Sequence, residues 1–205
     1  MKEDVHLLAP IPIYVKEDMP ALTEPEYRSL VNLPEHMALS DGNNFISNNR
    51  HILDLPVFVE LKRTLVDSLN HFVKNIMQLD TEFYITNSWS TRNPPGTRHS
   101  EHYHAHSIFS GIYYVDVEDG DIIFSANSQF SRDYKFRYNV TQYNPLNSNI
   151  FKLSPKPGML IIFPSWVNHQ VTENKENKDR RIIGFNAFVK GRFGNDEDIT
   201  LLDIR

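Results

Sequence analysis

His102-Tyr103-His104-Ala105-His106 runs straight into Ser107-Ile108-Phe109-Ser110-Gly111-Ile112-Tyr113-Tyr114-Val115, and the reading of this stretch decides the fold. Its pattern predicts a strand over 101–116. Side chains two apart on a strand share a face, so His102, His104 and His106 point the same way. Neutral imidazole is the commonest nitrogen donor to Fe, Zn, Ni and Cu, and an HxH pair supplies two adjacent coordination positions. A third ligand must come from elsewhere. His169, in Phe163-Pro164-Ser165-Trp166-Val167-Asn168-His169-Gln170-Val171, follows one predicted strand and opens another. In a closed β-sandwich such a residue lies opposite the HxH strand. Taken alone, an HxH pair fits packing histidines as well as ligands.

The rest of the chain supports a mainly β protein. Residues 83–91 are β-branched, aromatic and alternating, and further strands are predicted over 121–125, 149–153, 158–163, 169–173 and 180–189. Many short strands with turn residues between them indicate a sandwich or barrel. Ahead of them, Phe58, Leu61, Leu65, Leu69, Phe72, Ile76 and Leu79 recur at steps of three or four. That stripe predicts a helix over 56–79, capped by Asp54 and lying on the outside of a sheet. A shorter helix is expected over 24–33, starting near Thr23. Residues 5–16 read as an edge strand and 36–55 as loop. Aromatic residues among polar ones over 127–148 fit a flap over a site, or equally a decorated hairpin. A single domain over 1–205 is expected, helical over about 20–80 and β over about 82–190.

Composition narrows the function. Lys and Arg number 21 against 26 Asp and Glu, a net charge of −5, which argues against a nucleic-acid partner. Absence of cysteine excludes disulfides and thiol catalysis, and leaves a metal site to His, Asp, Glu or water. With no signal-like start and no long apolar run, a soluble cytoplasmic protein is expected, with no membrane partner.

Arg180 stands eleven residues after His169 and starts a strand. Alternation puts Arg180, Ile182, Gly184 and Asn186 on one face and Arg181, Ile183, Phe185 and Ala187 on the other. The first face suits a ligand cavity, the second a packed helix. An arginine at a cavity mouth holds a carboxylate with its planar fork. The plainer reading is two solvated arginines following Lys178-Asp179.

An HxH pair, a distal His and an Arg about one strand later, on an all-β pattern, resemble the Fe(II)/2-oxoglutarate-dependent dioxygenases. A narrower resemblance is to the 2OG-Fe(II) oxygenases of T4-like cyanophages. It is carried by Ser47-Asn48-Asn49, Asn87-Ser88-Trp89, His102-x-His104 through Ser110-Gly111-x-Tyr113-Tyr114, Phe163-Pro164-Ser165-Trp166 with His169-x-Val171, and Arg180 through Phe185-Asn186. The resemblance implies a double-stranded β-helix (a jelly roll, cupin-like) with the N-terminal helices outside one sheet. It implies Fe(II) on His102, His104 and His169, and 2-oxoglutarate as co-substrate. Arg180, with Arg181 as the alternative, would bind the C5 carboxylate, and Asn186 and Tyr114 would join it in the co-substrate site. Oxidative decarboxylation of 2-oxoglutarate would be coupled, with O2, to oxidation of a small-molecule or peptide substrate. A phage-encoded protein would work in the host cytoplasm.

One departure stands out. The family's usual carboxylate ligand, two residues after the first His, is His104 here, so the site is a neutral three-histidine one. His104 with His106 is an alternative register for the HxH pair. Two rival readings stay open: a cupin-like three-histidine metalloenzyme that does not use 2-oxoglutarate, and a non-enzymatic β-sandwich module with a structural metal.

Overall fold

The computed structural model describes residues 4, 10–38, 43–125, 139, 141–144 and 147–204. In chain order its regular elements begin with β1 (Tyr14–Lys16), α1 (Glu24–Val31), β2 (Glu35–Ala38), β3 (Asn44–Ser47) and α2 (Val59–His71). The strands β4 (Glu82–Asn93), β5 (His99–His102), β6 (Phe109–Asp116), β7 (Ile122–Ser125) and β8 (Ile150–Leu153) follow. Last come β9 (Leu160–Pro164), β10 (Asn168–Val171), β11 (Arg180–Phe193) and β12 (Leu202–Ile204). The major sheet has the order β1-β9-β6-β11-β4-β3-β2, with β12 added to β11; the minor sheet runs β5-β10-β7-β8. Every strand pairing among the named strands is antiparallel. Two antiparallel sheets with the helices outside one of them are the mainly β, jelly-roll architecture expected from the sequence.

Strand β11 divides the core in two, as its alternation requires. Ile183, Phe185 and Ala187 face outward and pack with Leu61, Leu65 and Leu69 of α2 and with Phe72 just after it. The opposite face of the major sheet meets the minor sheet: Ile112, Tyr114, Ile161 and Phe163 pack there with Ile122 and Phe124. Gly111, paired with Phe185 across β6 and β11, leaves room for that ring, because a Cβ there would lie 2.0 Å from it.

Several sequence readings need correction. The predicted strand over 101–116 is two strands, one in each sheet, joined by a turn through Ala105 and His106. His106 has φ 56, so the backbone reverses there. Residues 36–55 are not all loop. β2 and β3 extend the major sheet because their polar side chains find partners: Asn44 donates to the Arg98 carbonyl at 2.6 Å, and Ser47 Oγ accepts from Ser90 N at 3.1 Å. Asp54 does not cap α2. The helix starts at Val59 after short 3-10 turns, and Asp54 instead pairs with Lys62 at 2.5 Å. The helical path ends in a π turn over Phe72–Ile76, closed at Gln78 with φ 57. The shorter helix does begin after Thr23, whose N–H and Oγ both donate to Glu26 at 2.7 Å. β1 is an edge strand, as read. Residues 5–9 of the predicted extended segment, and most of the aromatic segment 127–148, lie outside the described residues.

Leu65 is fully buried between α2 and the major sheet. Leu65→Ala is expected to lower unfolding free energy by about 3 kcal/mol, from lost transfer energy plus a cavity. Urea denaturation followed by far-UV circular dichroism measures it.

Candidate active site

The site begins with a strand register. In the minor sheet His169 of β10 lies directly across from His102 of β5. Paired residues on adjacent antiparallel strands put their side chains side by side. His169 is therefore the neighbour of the HxH stretch within one sheet, rather than a residue facing it from another. His104 is two residues past His102, beyond the end of β5, and its N–H donates to the Ser165 carbonyl at 2.9 Å. That bond carries the imidazole back over the other two. One ring nitrogen from each of His102, His104 and His169 lies within 4.8 Å of the other two, making a potential metal cluster.

Hydrogen bonds decide which nitrogen each ring offers. His102 Nδ1 lies 2.8 Å from the Ser100 carbonyl, and His169 Nδ1 lies 3.2 Å from that of Val167. His104 Nδ1 lies 2.5 Å from Asn186 Oδ1. An oxygen acceptor requires Nδ1 to carry the proton, so each neutral ring keeps a bare lone pair on Nε2. The Nε2 atoms of His102 and His104 stand 3.2 Å apart. Two bare lone pairs at that separation repel unless a cation lies between them. The donor set thus fits a divalent transition metal with imidazole affinity.

Burial keeps the rings in the ligating state. Desolvation, aided by the neighbouring histidines, pushes the His104 pKa down to about 4, against a stabilising bond from Asn186. His169 is buried against Phe163 and Phe124 and is lowered well below the usual imidazole value for the same reason.

Behind His104 runs a buried hydroxyl chain that the sequence reading did not anticipate. Ser110 Oγ lies 2.8 Å from Asn186 Oδ1, 2.9 Å from His104 Nδ1 and 2.8 Å from Ser165 Oγ. Ser165 in turn donates to Ser107 at 2.8 Å. These serines hold the amide that holds the histidine. The signal was present in Ser110-Gly111 and Pro164-Ser165, but no periodicity assigns a role to a serine. His99 was also missed; it stacks on His102 with ring centroids 4.5 Å apart.

Two cavities meet at the triad. A narrow one of about 30 Å³ is bordered by His102, His104, His169, Tyr114, Thr91 and Arg180. A wider one of about 330 Å³ opens on the other side, past Arg50, Asn87, Trp89, His99 and Asn186. Trp89 can lie against β11 because Gly184 has no side chain: a Cβ there would come within 2.7 Å of the indole. Arg180 is 2 % exposed and its guanidinium donates to two main-chain carbonyls. Burial pushes the Tyr114 phenol up, and its hydroxyl, like Thr91 Oγ1, is buried without a protein hydrogen bond. Arg181 does not border the narrow cavity; it lines a separate cleft beside Tyr27 and Asp116, which Arg180 also touches. His106 is exposed and outside the cluster.

With that geometry in view, comparison with known proteins is informative. Residues 87–186, just under half of the chain, match the sequence model of the family described as "Putative 2OG-Fe(II) oxygenase". That stretch, from β4 to β11, is what this chain shares with the family. Fe(II) and 2-oxoglutarate are the cofactor and co-substrate of this oxidoreductase family, and the three histidines fit the metal. No protein of curated function matches the sequence. Solved structures share the fold. A 2OG-Fe(II) oxygenase-family oxidoreductase from Burkholderia pseudomallei superposes with TM-score 0.58 at 14% identity, over 85% of this chain and 83% of its own. A prolyl-4-hydroxylase from Pseudomonas putida gives 0.56 at 12%, over 86% and 92%. HygX from Streptomyces hygroscopicus, solved with nickel, 2-oxoglutarate and hygromycin B, gives 0.58 at 14%, over 86% and 82%. Within the matched stretch, His104 stands where the His-x-carboxylate pattern has its carboxylate.

Two predictions follow from the protonation states and the second ring of contacts. A histidine with a depressed folded pKa contributes stability that is complete above its unfolded value, near 6.5, and is lost as pH falls through the folded value. Metal-free protein is therefore expected to lose stability between pH 6.5 and about 4, by about 3 kcal/mol for His104 alone. Chemical denaturation at stepped pH checks this, with a shallower slope expected in His104→Asn. Asn186→Ala, which removes the acceptor for His104 Nδ1, is expected to weaken metal binding about tenfold or more in a competitive chelator titration.

Proposed function

We propose that this protein is an Fe(II)- and 2-oxoglutarate-dependent dioxygenase acting as a hydroxylase. The observation that carries the reading is the joint lining of one cavity by three lone-pair-bearing histidines and a buried arginine whose guanidinium is hydrogen-bonded to main-chain carbonyls. His102, His104 and His169 hold the metal. Fe(II), with 2-oxoglutarate and O2, supplies the oxidising power of the reaction when bound. Arg180 receives the C5 carboxylate of 2-oxoglutarate, and the otherwise unpartnered hydroxyls of Tyr114 and Thr91 complete its hydrogen bonding. Asn186 and Ser110 keep the His104 ring in its ligating tautomer. The apolar side chains around His169 exclude water from the buried half of the site.

The substrate takes the wider cavity, between Arg50, Asn87 and Trp89. Its volume of about 330 Å³ suits a small molecule or a peptide side chain. Structural neighbours include proteins of both kinds: HygX was solved with hygromycin B, and a prolyl hydroxylase from Trichoplax adhaerens with a peptide fragment. No helix among the described residues is long and apolar enough to cross a membrane. The motif resemblance to cyanophage oxygenases supports the further reading that the protein works in the cytoplasm of an infected host.

The deciding experiment is anaerobic. Protein loaded with Fe(II) and titrated with 2-oxoglutarate is expected to develop the weak visible charge-transfer band of a chelated 2-oxo acid. Replacing His102, His104 or His169 by Ala should abolish the band. Arg180→Ala should raise the 2-oxoglutarate concentration needed by about tenfold or more. A folded, iron-binding protein without the band would point instead to a three-histidine metalloenzyme that does not use 2-oxoglutarate.

A further inference from the structure

Arg180 is aimed by backbone rather than by an acid. Its guanidinium donates through Nη1 to the Asp119 carbonyl at 3.3 Å and through Nη2 to the Thr172 carbonyl at 3.1 Å. Asp119 lies in the connection between β6 and β7, and Thr172 directly follows β10. These two segments are fastened to each other. Thr172 N donates to the Asp121 carbonyl at 2.9 Å, and Asp121 N donates to Thr172 Oγ1 at 2.8 Å. Two carbonyl dipoles fix the orientation of the guanidinium, and its only charged influence from this segment is the more distant Asp119 carboxylate, which makes no hydrogen bond to it.

Gly120 sits between the two acceptors with φ +101. A Cβ at this position would lie 2.0 Å from Arg180 Nη1 and 3.3 Å from its Cζ. Nη1 is the far end of a flexible side chain, so the guanidinium would yield before the backbone did. We propose that Gly120 is a positioning residue for the co-substrate, leaving open the space in which the Arg180 guanidinium lies, so that it meets the distal carboxylate of 2-oxoglutarate. The proposal rests on the reading that Arg180 receives that carboxylate. It adds that the connection from β6 to β7, which supplies none of the three metal ligands and does not line the wider cavity, sets co-substrate affinity.

The test is calorimetric titration of oxygen-free, metal-loaded protein with two probes. One is 2-oxoglutarate. The other is 2-oxobutyrate, which keeps the 2-oxo acid head and lacks the distal carboxylate. Gly120→Ala is expected to weaken 2-oxoglutarate binding about tenfold and to change 2-oxobutyrate binding less than about twofold. In an Arg180→Lys background, where Nη1 is absent, Gly120→Ala should have little further effect on 2-oxoglutarate. Gly191→Ala controls for backbone strain, because Gly191 has φ +123 and nothing within 4 Å of its would-be Cβ. It should leave both affinities as in the wild type. Should Gly120→Ala not fold, Thr172→Val unfastens the same connection and should give the same selective loss, with Thr172→Ser restoring affinity.

Equal weakening of both probes, unchanged 2-oxoglutarate affinity, or the same loss in both backgrounds would overturn the role of Gly120. Failure of the underlying reading looks different: Arg180→Ala itself would leave 2-oxoglutarate affinity unchanged.

Discussion

Three neutral imidazoles directed at one point repel one another until something positive joins them. The site is organised around that unfavourable arrangement. Each Nδ1–H is committed to an oxygen, so no ring can relieve the crowding by turning its proton inward. Burial opposes the other escape, protonation, by holding His104 and His169 well below the ordinary imidazole pKa. Neutrality, orientation and tautomer are thereby all prescribed before a metal arrives, and binding it releases the repulsion.

Such an arrangement needs a stiff frame, and both sheets contribute. The minor sheet supplies the His102–His169 register. The major sheet supplies Asn186 and Ser110, which are themselves cross-strand partners on β11 and β6. β11 couples the two requirements. Its outer residues lock against α2, while its inner residues present Arg180, Gly184 and Asn186 to the cavity. A shift of this strand by one residue would exchange the apolar and functional faces, so the packing of α2 also protects the site's register.

Charge distribution follows the same economy. A three-histidine set leaves a divalent ion its full charge, where a carboxylate ligand would cancel part of it. Among the described residues, Arg180 is the one Lys or Arg bordering the narrow cavity, and its hydrogen-bond acceptors are uncharged carbonyls. An anionic co-substrate that spans metal and guanidinium would meet positive potential at both ends.

Much of this was legible in the chain itself. Alternation at 180–187 separates a cavity face from a packing face because strand side chains have a period of two, whatever surrounds them. The apolar stripe from Phe58 to Leu79 predicts a helix on a sheet because a helix has one period, and the α-helix itself runs over Val59–His71. The residue types His102, His104, His169 and Arg180 announce metal and carboxylate chemistry because few other side chains can perform it. What the sequence could not show is how the HxH stretch breaks. The chain reverses at His106, and the bond from His104 N–H to Ser165 and the pairing of His102 with His169 join segments distant in sequence. The polar strands β2 and β3 were read as loop because their stability comes from distant partners such as Arg98 and Ser90. Gly120 has meaning only beside Arg180. Local periodicity reports which face a residue takes, since that is a property of the backbone alone. Which residues meet across those faces is settled by long-range pairing, which only the folded chain contains.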